Sequence, residues 1–188
     1  FTGGLYDKRH VQCSGLDSYT AAPFRIDHND FLSTTTVGGG TILIDVFGCN
    51  GLIDHNTLAA PDNSEMIHNF GAGQAGWTAN VTPGSAEALY VEDNTFTNNG
   101  SGNANSSLQA YDGARTVARH NTLNHSQFDQ HGGVNIGARW FEFYENTFSN
   151  SAGSNAIDKY FDLRAGSGLV FNNHETVASN AGITLREE

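Results

Sequence analysis

Asp27, Asp54 and Glu92 each stand two residues before an asparagine, at Asn29, Asn56 and Asn94. Arg119, Tyr144 and Phe171 stand in the same relation to Asn121, Asn146 and Asn173. Two residues further upstream the series reads Arg25, Leu52, Tyr90, Val117, Glu142 and Leu169. Acids, arginines and tyrosines at matched offsets suggest three chemistries. Two carboxyls hydrolyse a glycosidic bond when about 5–5.5 Å apart for retention, or about 6.5–9.5 Å apart for inversion. Stacked in register, Asp54/Glu92 would fall near the first range and Asp27/Glu92 near the second. A β-elimination instead needs a uronate carboxylate neutralised and a base for the C5 proton. Arg119 beside Glu92 is the centre that fits it, with His120 or His131 as alternative bases. Third, Asp27, Asp54 and Glu92 in one column would repel one another. Arg25, a neighbouring histidine, raised carboxyl pKa values or a calcium ion held by the three acids would offset that repulsion. A solvated polar face with ordinary cross-strand pairs would carry the same residues.

Around these positions Tyr90 and Tyr144 are candidate platforms for sugar rings. Arg25 and Arg119 are candidate bidentate partners for carboxylates. His28, His55 and His120 directly precede the asparagines, so they read as features of a repeat. His131 lies outside it, between Asp129-Gln130 and two glycines, and is the leading non-repeat candidate, with Arg139 nearby. No Ser-His-Asp order, phosphate loop or His-x-x-x-His spacing is present.

What must position these side chains is a repeat. Leu89-Tyr-Val-Glu-Asp-Asn-Thr-Phe96 is matched by Phe24–Phe31, Gly51–Leu58, Thr116–Leu123 and Phe141–Phe148. Gly168–Asn173 is a sixth, shorter copy. The asparagines are separated by 27, 38, 27, 25 and 27 residues. A near-fixed period of this size means a solenoid. Within each copy, positions five and three before the asparagine are apolar or small, while the intervening ones are mixed and often charged. That is the period-two signature of a half-buried strand. The asparagine marks a bend, where its amide can bond the coils above and below and its backbone tolerates a left-handed corner. One strand per period, always in the same direction, gives parallel strands stacked at about 4.8 Å.

These units, from about Phe24 to Val177, resemble the right-handed parallel β-helices of the pectate-lyase-like superfamily. Ile26-Asp27-His28 and Ile53-Asp54-His55 are similar to the Ile-Asp-His segment of pectate lyases. The resemblance implies an all-β fold of about six to seven coils. It also implies an outward sheet face that forms a polysaccharide groove. The expected groove centres on Asp54, Glu92 and Arg119 as catalytic groups, with Arg25, Tyr90 and Tyr144 as sugar contacts; catalytic His131 with sugar-binding Arg139 is the next place to look.

Composition narrows the class. The chain has 188 residues, read as one domain over 1–188, with 22 glycines, three prolines and 15% charged residues. A 38% apolar content recurring in register argues against disorder. The net charge of −11, with Lys8 and Lys159 as the only lysines, argues against a nucleic-acid partner. No apolar run of about 18 residues predicts a membrane span. An acidic chain with this repeat fits an extracellular or cell-surface protein. Cys13 and Cys49 lie about one coil apart and are either a disulfide or two small buried hydrophobes.

Along the chain, residues 1–22 read as the end of an incomplete coil, with Leu5–Cys13 as a strand and no helical cap before it. An uncapped end predicts either a preceding segment or end-to-end self-association. Residues 34–40 and 98–107 read as loop tips. Thr41–Phe47 reads as a strand of a second sheet, and 61–84 as a lateral insertion. Gly-Ala-Arg at 113–115 and 137–139 marks a bend, with the arginine outside. Residues 180–188 read as a short strand with a charged tail. Two functions are consistent with all this. One is a carbohydrate-active β-helix, lyase- or glycosidase-like, acting on or binding an extracellular polysaccharide. The other is a non-catalytic structural or adhesive module of a surface, filament or spike assembly.

Overall fold

The computed structural model describes residues 9–15, 23–34, 41–61, 64–100, 105–132, 136–150, 159–176 and 182–186. Over these the chain is a right-handed parallel β-helix built from three parallel sheets. Sheet I holds Val11–Ser14, Ile42–Phe47, Glu65–Phe70, Asn105–Tyr111, Ser126–Gln130, Lys159–Leu163 and Gly182–Leu185. Sheet II holds the strands that end in the acidic column: Phe24–Asp27, Gly51–Asp54, Leu89–Glu92, Arg115–Arg119, Trp140–Tyr144 and Ser167–Phe171. Sheet III holds Asp30–Leu32, Thr57–Ala60, Thr95–Asn98, Thr122–Asn124, Thr147–Ser149 and His174–Glu175. Each sheet is ordered as the chain runs, so every coil stacks only on its neighbours.

The register follows the repeat. Gly51, Leu52, Ile53 and Asp54 pair with Leu89, Tyr90, Val91 and Glu92, and Ala118 pairs with Val91 and Phe143. Inward positions therefore stack like on like. Ile53, Val91, Ala118 and Phe143 are fully buried, as are Leu58, Phe96 and Leu123 two residues after their asparagines. Ile44, Ile67, Leu108 and Phe128 complete the core from sheet I.

The corner between sheets II and III is the asparagine ladder. The backbone N–H of Asn29, Asn56, Asn94, Asn121 and Asn146 each donates to the side-chain oxygen of the next asparagine, at 2.9–3.1 Å. The left-handed residue is not the asparagine but the one before it. His28, His55, Asp93, His120, Glu145 and Asn172 have φ between 52° and 57°. The asparagine is thus free to use both ends of its amide along the stack.

Element boundaries and one side-chain placement differ from the sequence reading. Residues 65–70 are a regular strand of sheet I, so the extra residues of the long period begin after Phe70. They form a six-residue helix, Gly73–Thr78, and turns leading to Leu89. Gly71 permits the exit, since a Cβ there would lie 2.3 Å from Ala114 N. Arg115 is not outside but 3% exposed, with Nη1 2.6 Å from Glu87 and Nη2 3.4 Å from Gly76 O. The insertion folds back over it. The first strand is Val11–Ser14, and of the expected tip at 98–107, Asn98 ends one strand and residues 105–107 begin another; Leu5 to Lys8, 35–40, 101–104 and the tail at 187–188 lie outside the described residues. The late strand is present as Gly182–Leu185. Cys13 and Cys49 form a disulfide.

Candidate functional site

The alternation of sheet II delivers the expected column. Asp27, Asp54, Glu92, Arg119, Tyr144 and Phe171 are register partners in successive coils. Their charges are satisfied within the column. Arg25 grips Asp54 with both ends, Nε to Oδ1 at 3.0 Å and Nη2 to Oδ2 at 2.7 Å, and lies 3.6 Å from Asp27. His55 Nδ1 is 3.0 Å from Asp54 Oδ2, and His28 Nδ1 is 3.2 Å from Asp27 Oδ2. Arg119 Nη2 is 2.7 Å from Glu92, and its Nη1 donates to the Tyr144 hydroxyl at 2.7 Å. The guanidinium carbon lies 5.7 Å from the Tyr90 ring centre and 5.8 Å from that of Tyr144, so one cation serves two rings.

Hydrogen bonds from Arg25, against the opposing effect of burial, hold the Asp54 carboxyl below the usual range. Asp54 is only 4% exposed. A buried, ion-paired carboxylate has no proton to give and little access to substrate. The column therefore suits hydrogen bonding better than proton transfer. Of the proposed ways to offset the acids' repulsion, the arginines and the neighbouring histidines are the ones in place. Among the described residues no group of three His, Cys, Asp or Glu side chains comes together to hold a metal ion, so Asp27, Asp54 and Glu92 do not form the expected calcium site.

Beside the column runs a cleft of about 380 Å³. Leu52, Phe24, Ala86 and Ala88 give it apolar walls, Tyr90 an aromatic one, and Glu92 with Arg119 a charged end. The insertion helps to build it. Ser85 O accepts from the Tyr90 hydroxyl at 3.0 Å, and Gly84 N–H donates to Glu142 at 2.8 Å. Tyr144 stacks on Phe171 at 4.7 Å, extending the aromatic strip.

His131 and Arg139 are not brought to this column. Arg139 lies at the start of a sheet II strand, its guanidinium 5.7 Å from the Trp77 ring of the insertion helix and 3.4 Å from Ser167 Oγ. His131 follows the sheet I strand Ser126–Gln130 and stacks on Tyr111 at 4.4 Å. Phe70 stacks on Tyr111 at 5.1 Å and on Phe47 at 4.5 Å, so His131 ends an aromatic ladder on another sheet.

That sheet carries a row the sequence reading missed. Asp45, His68, Gln109, Asp129 and Asp162 are register partners in successive coils. All five are at least nine-tenths buried. Asp129 is held by Arg164 and Asp162 by Arg186 and Lys159. The Asp45 oxygens, by contrast, make no well-aligned hydrogen bond, although Arg9 Nε and His68 Nδ1 lie 2.9 and 3.3 Å away. Gln109 Oε1 is also buried without a hydrogen-bond partner. Glu65 Oε2 lies 3.5 Å from His68 Nε2. Burial first, then the nearby charges of Asp129 and Asp45, raises the Glu65 carboxyl to about 7. Burial, then Arg9 and His131, lowers His68 to about 4. The signal was in the sequence. Ile-Asp-Val-Phe47, Ile-His-Asn-Phe70, Leu-Gln-Ala-Tyr111 and Phe-Asp-Gln-His131 are a second aligned repeat, visible once the strand before each corner is set in register.

Compared with models of known families, with curated proteins and with solved structures, the chain matches none of them.

Proposed function

We propose that this chain is a carbohydrate-active β-helix of the pectate-lyase-like kind, secreted or displayed at a cell surface, which engages an extracellular polysaccharide through sheet II. The observation that carries the reading is the cleft at Tyr90. Its apolar and aromatic walls suit the face of a pyranose ring, and its Glu92–Arg119 end offers an acceptor and a donor to ring hydroxyls. Arg25, half exposed while bonded to Asp54, and Tyr144 continue the same face. The Cys13–Cys49 disulfide supports an oxidising compartment.

The rival reading, a structural or adhesive solenoid, draws on the same column. Paired charges in register are also what a stable, non-catalytic stack needs. A binding panel of neutral and acidic polysaccharides separates the two. The proposal expects retention on at least one polysaccharide, weakened roughly tenfold or more in Tyr90→Ala, as loss of an aromatic anchor implies, with the melting temperature nearly unchanged. Weaker binding is also expected for Glu92→Gln and Arg119→Ala. No retention on any member favours the structural module.

A further inference from the structure

The sheet I face that the cleft does not use holds an arrangement of a different kind. Asp45, His68 and Glu65 lie in sequence across two strands: Asp45 Oδ1 to His68 Nδ1 is 3.3 Å, and His68 Nε2 to Glu65 Oε2 is 3.5 Å. The inner end is closed, with Asp45 fully buried, while the Glu65 carboxylate end keeps 32% of its side chain exposed. His68 also packs edge-on against Phe70 at 4.2 Å and Tyr111 at 4.9 Å. Those two rings, with Phe47 and His131 stacked beyond them, form a ladder beside His68 on the same sheet. Next in the row, Gln109 presents a buried carbonyl oxygen that no protein donor meets. A wholly satisfied ion-pair network leaves no orphaned acceptor in its wall. A site awaiting a hydroxyl-rich ligand leaves one.

We propose that Glu65 is the general acid of a glycoside-cleaving site on sheet I, positioned by His68 and Asp45, with the adjoining aromatic ladder seating the sugar chain. The substrate class rests on the carbohydrate reading above; the site does not depend on the sheet II cleft. In the step, the Glu65 carboxyl proton passes to the glycosidic oxygen. The C1–O bond breaks and its electron pair stays with that oxygen. A water molecule adds to C1 and releases a proton to solvent, and a solvent proton restores Glu65. Asp45 Oδ1 lies 3.3 Å from His68 Nδ1, a neighbour that favours the proton on Nδ1 and leaves the Nε2 lone pair facing Glu65 at 3.5 Å. A carboxyl that stays protonated up to about 7 is available as an acid at neutral pH. The charged and titratable groups facing it are Arg9 ahead of the first strand, Asp45, His68, Asp129, His131 and Arg164.

The test is release of reducing ends from the polysaccharide panel, run beside the binding assay. Wild-type protein is expected to cleave a member of the panel, with the rate falling as pH rises through about 7. Glu65→Gln is expected to lose turnover roughly a hundredfold or more, with a melting temperature no lower than the wild type's and unchanged retention in the sheet II cleft. His68→Ala is expected to lose turnover, and His68→Gln, which can still meet the Glu65 carboxyl, to restore part of it; equal losses in both would reduce His68 to packing. Binding without cleavage by the wild type, or Glu65→Gln turnover close to wild type, overturns the catalytic site while leaving the cleft intact. Cleavage that disappears in Glu65→Gln, together with retention that Tyr90→Ala leaves unchanged, supports the site and sinks the cleft. Neither binding nor cleavage overturns both.

Discussion

The backbone N–H of Asn94 donates to the side-chain oxygen of Asn121 at 3.0 Å, and the Asn121 amide in turn donates to Val91 O at 2.8 Å. One side chain thus satisfies a donor and an acceptor of the coil before it, in a fully buried corner. Asn121→Ala leaves both unpaired and should cost about 1–3 kcal/mol. Exposed Gln74→Ala in the insertion should cost little. Chemical denaturation of the two variants checks this, and equal small shifts would count against the ladder.

The residue ahead of each ladder asparagine should be equally position-specific. His55 has φ +55° and a neighbour, His28, stacked parallel to it at 5.0 Å. A β-branched residue cannot hold that backbone cheaply, so His55→Val should destabilise by roughly 1–2 kcal/mol. His55→Asn should be close to neutral, because asparagine tolerates the left-handed region. The pair of melting temperatures tests whether the backbone or the imidazole matters. Similar losses in both would place the importance in the ring.

How far the sequence could be read depended on which strand carried an obvious marker. Sheet II is legible because an asparagine stands two residues beyond the end of each of its strands, and period-two alternation then sets the column from Asp27 to Phe171. The arginine pairings were legible in kind, since three stacked acids need nearby cations. Their strength was not. Nothing local says that Asp54 would be buried under a bidentate Arg25, or that Arg115 would lie beneath Glu87 and the insertion. Sheet I was harder, because its strands have no invariant corner residue. Its row of Asp45, His68, Gln109, Asp129 and Asp162 mixes acid, imidazole and amide, so it does not look like a repeat in one dimension. Glu65 lies within 61–84, where scattered glycines around Phe70 and Trp77 suggest a lateral insertion. Its long period came from residues added after Phe70, a placement that depends on how the chain crosses Gly71 and Ala114.

The Cys13–Cys49 link ties the first strand of sheet I to the turn after the second, closing a loop across 36 residues. That strand has a neighbour on one side only among the described residues. Reduction should therefore lower stability by about 2–4 kcal/mol. Protection from hydrogen exchange should fall first at Val11–Ser14 and Phe24–Asp27. Exchange that is uniform with and without reductant would show that the first coil is held by packing alone.

Stability should depend on pH through two opposing groups that touch each other. Glu65 rises from an ordinary 4.5 to about 7, so the folded state keeps a proton that the unfolded chain releases. Its contribution is lost as pH rises through that window. His68 falls from 6.5 to about 4, so the unfolded chain takes up a proton that the folded state refuses. Its contribution is lost as pH falls through 6.5 toward 4. Between about 4.5 and 6.5 the two slopes oppose, and the wild type should be nearly flat. Glu65→Gln removes the first, leaving a protein that loses stability on acidification across this range. His68→Asn removes the second, leaving one that loses stability as the pH is raised. Urea midpoints at pH 4.5, 5.5 and 6.5, bracketed by those two values, read the slopes directly. Parallel profiles for the three proteins would mean that Glu65 and His68 titrate alike in the folded and unfolded states, and that the sheet I face is open to water throughout.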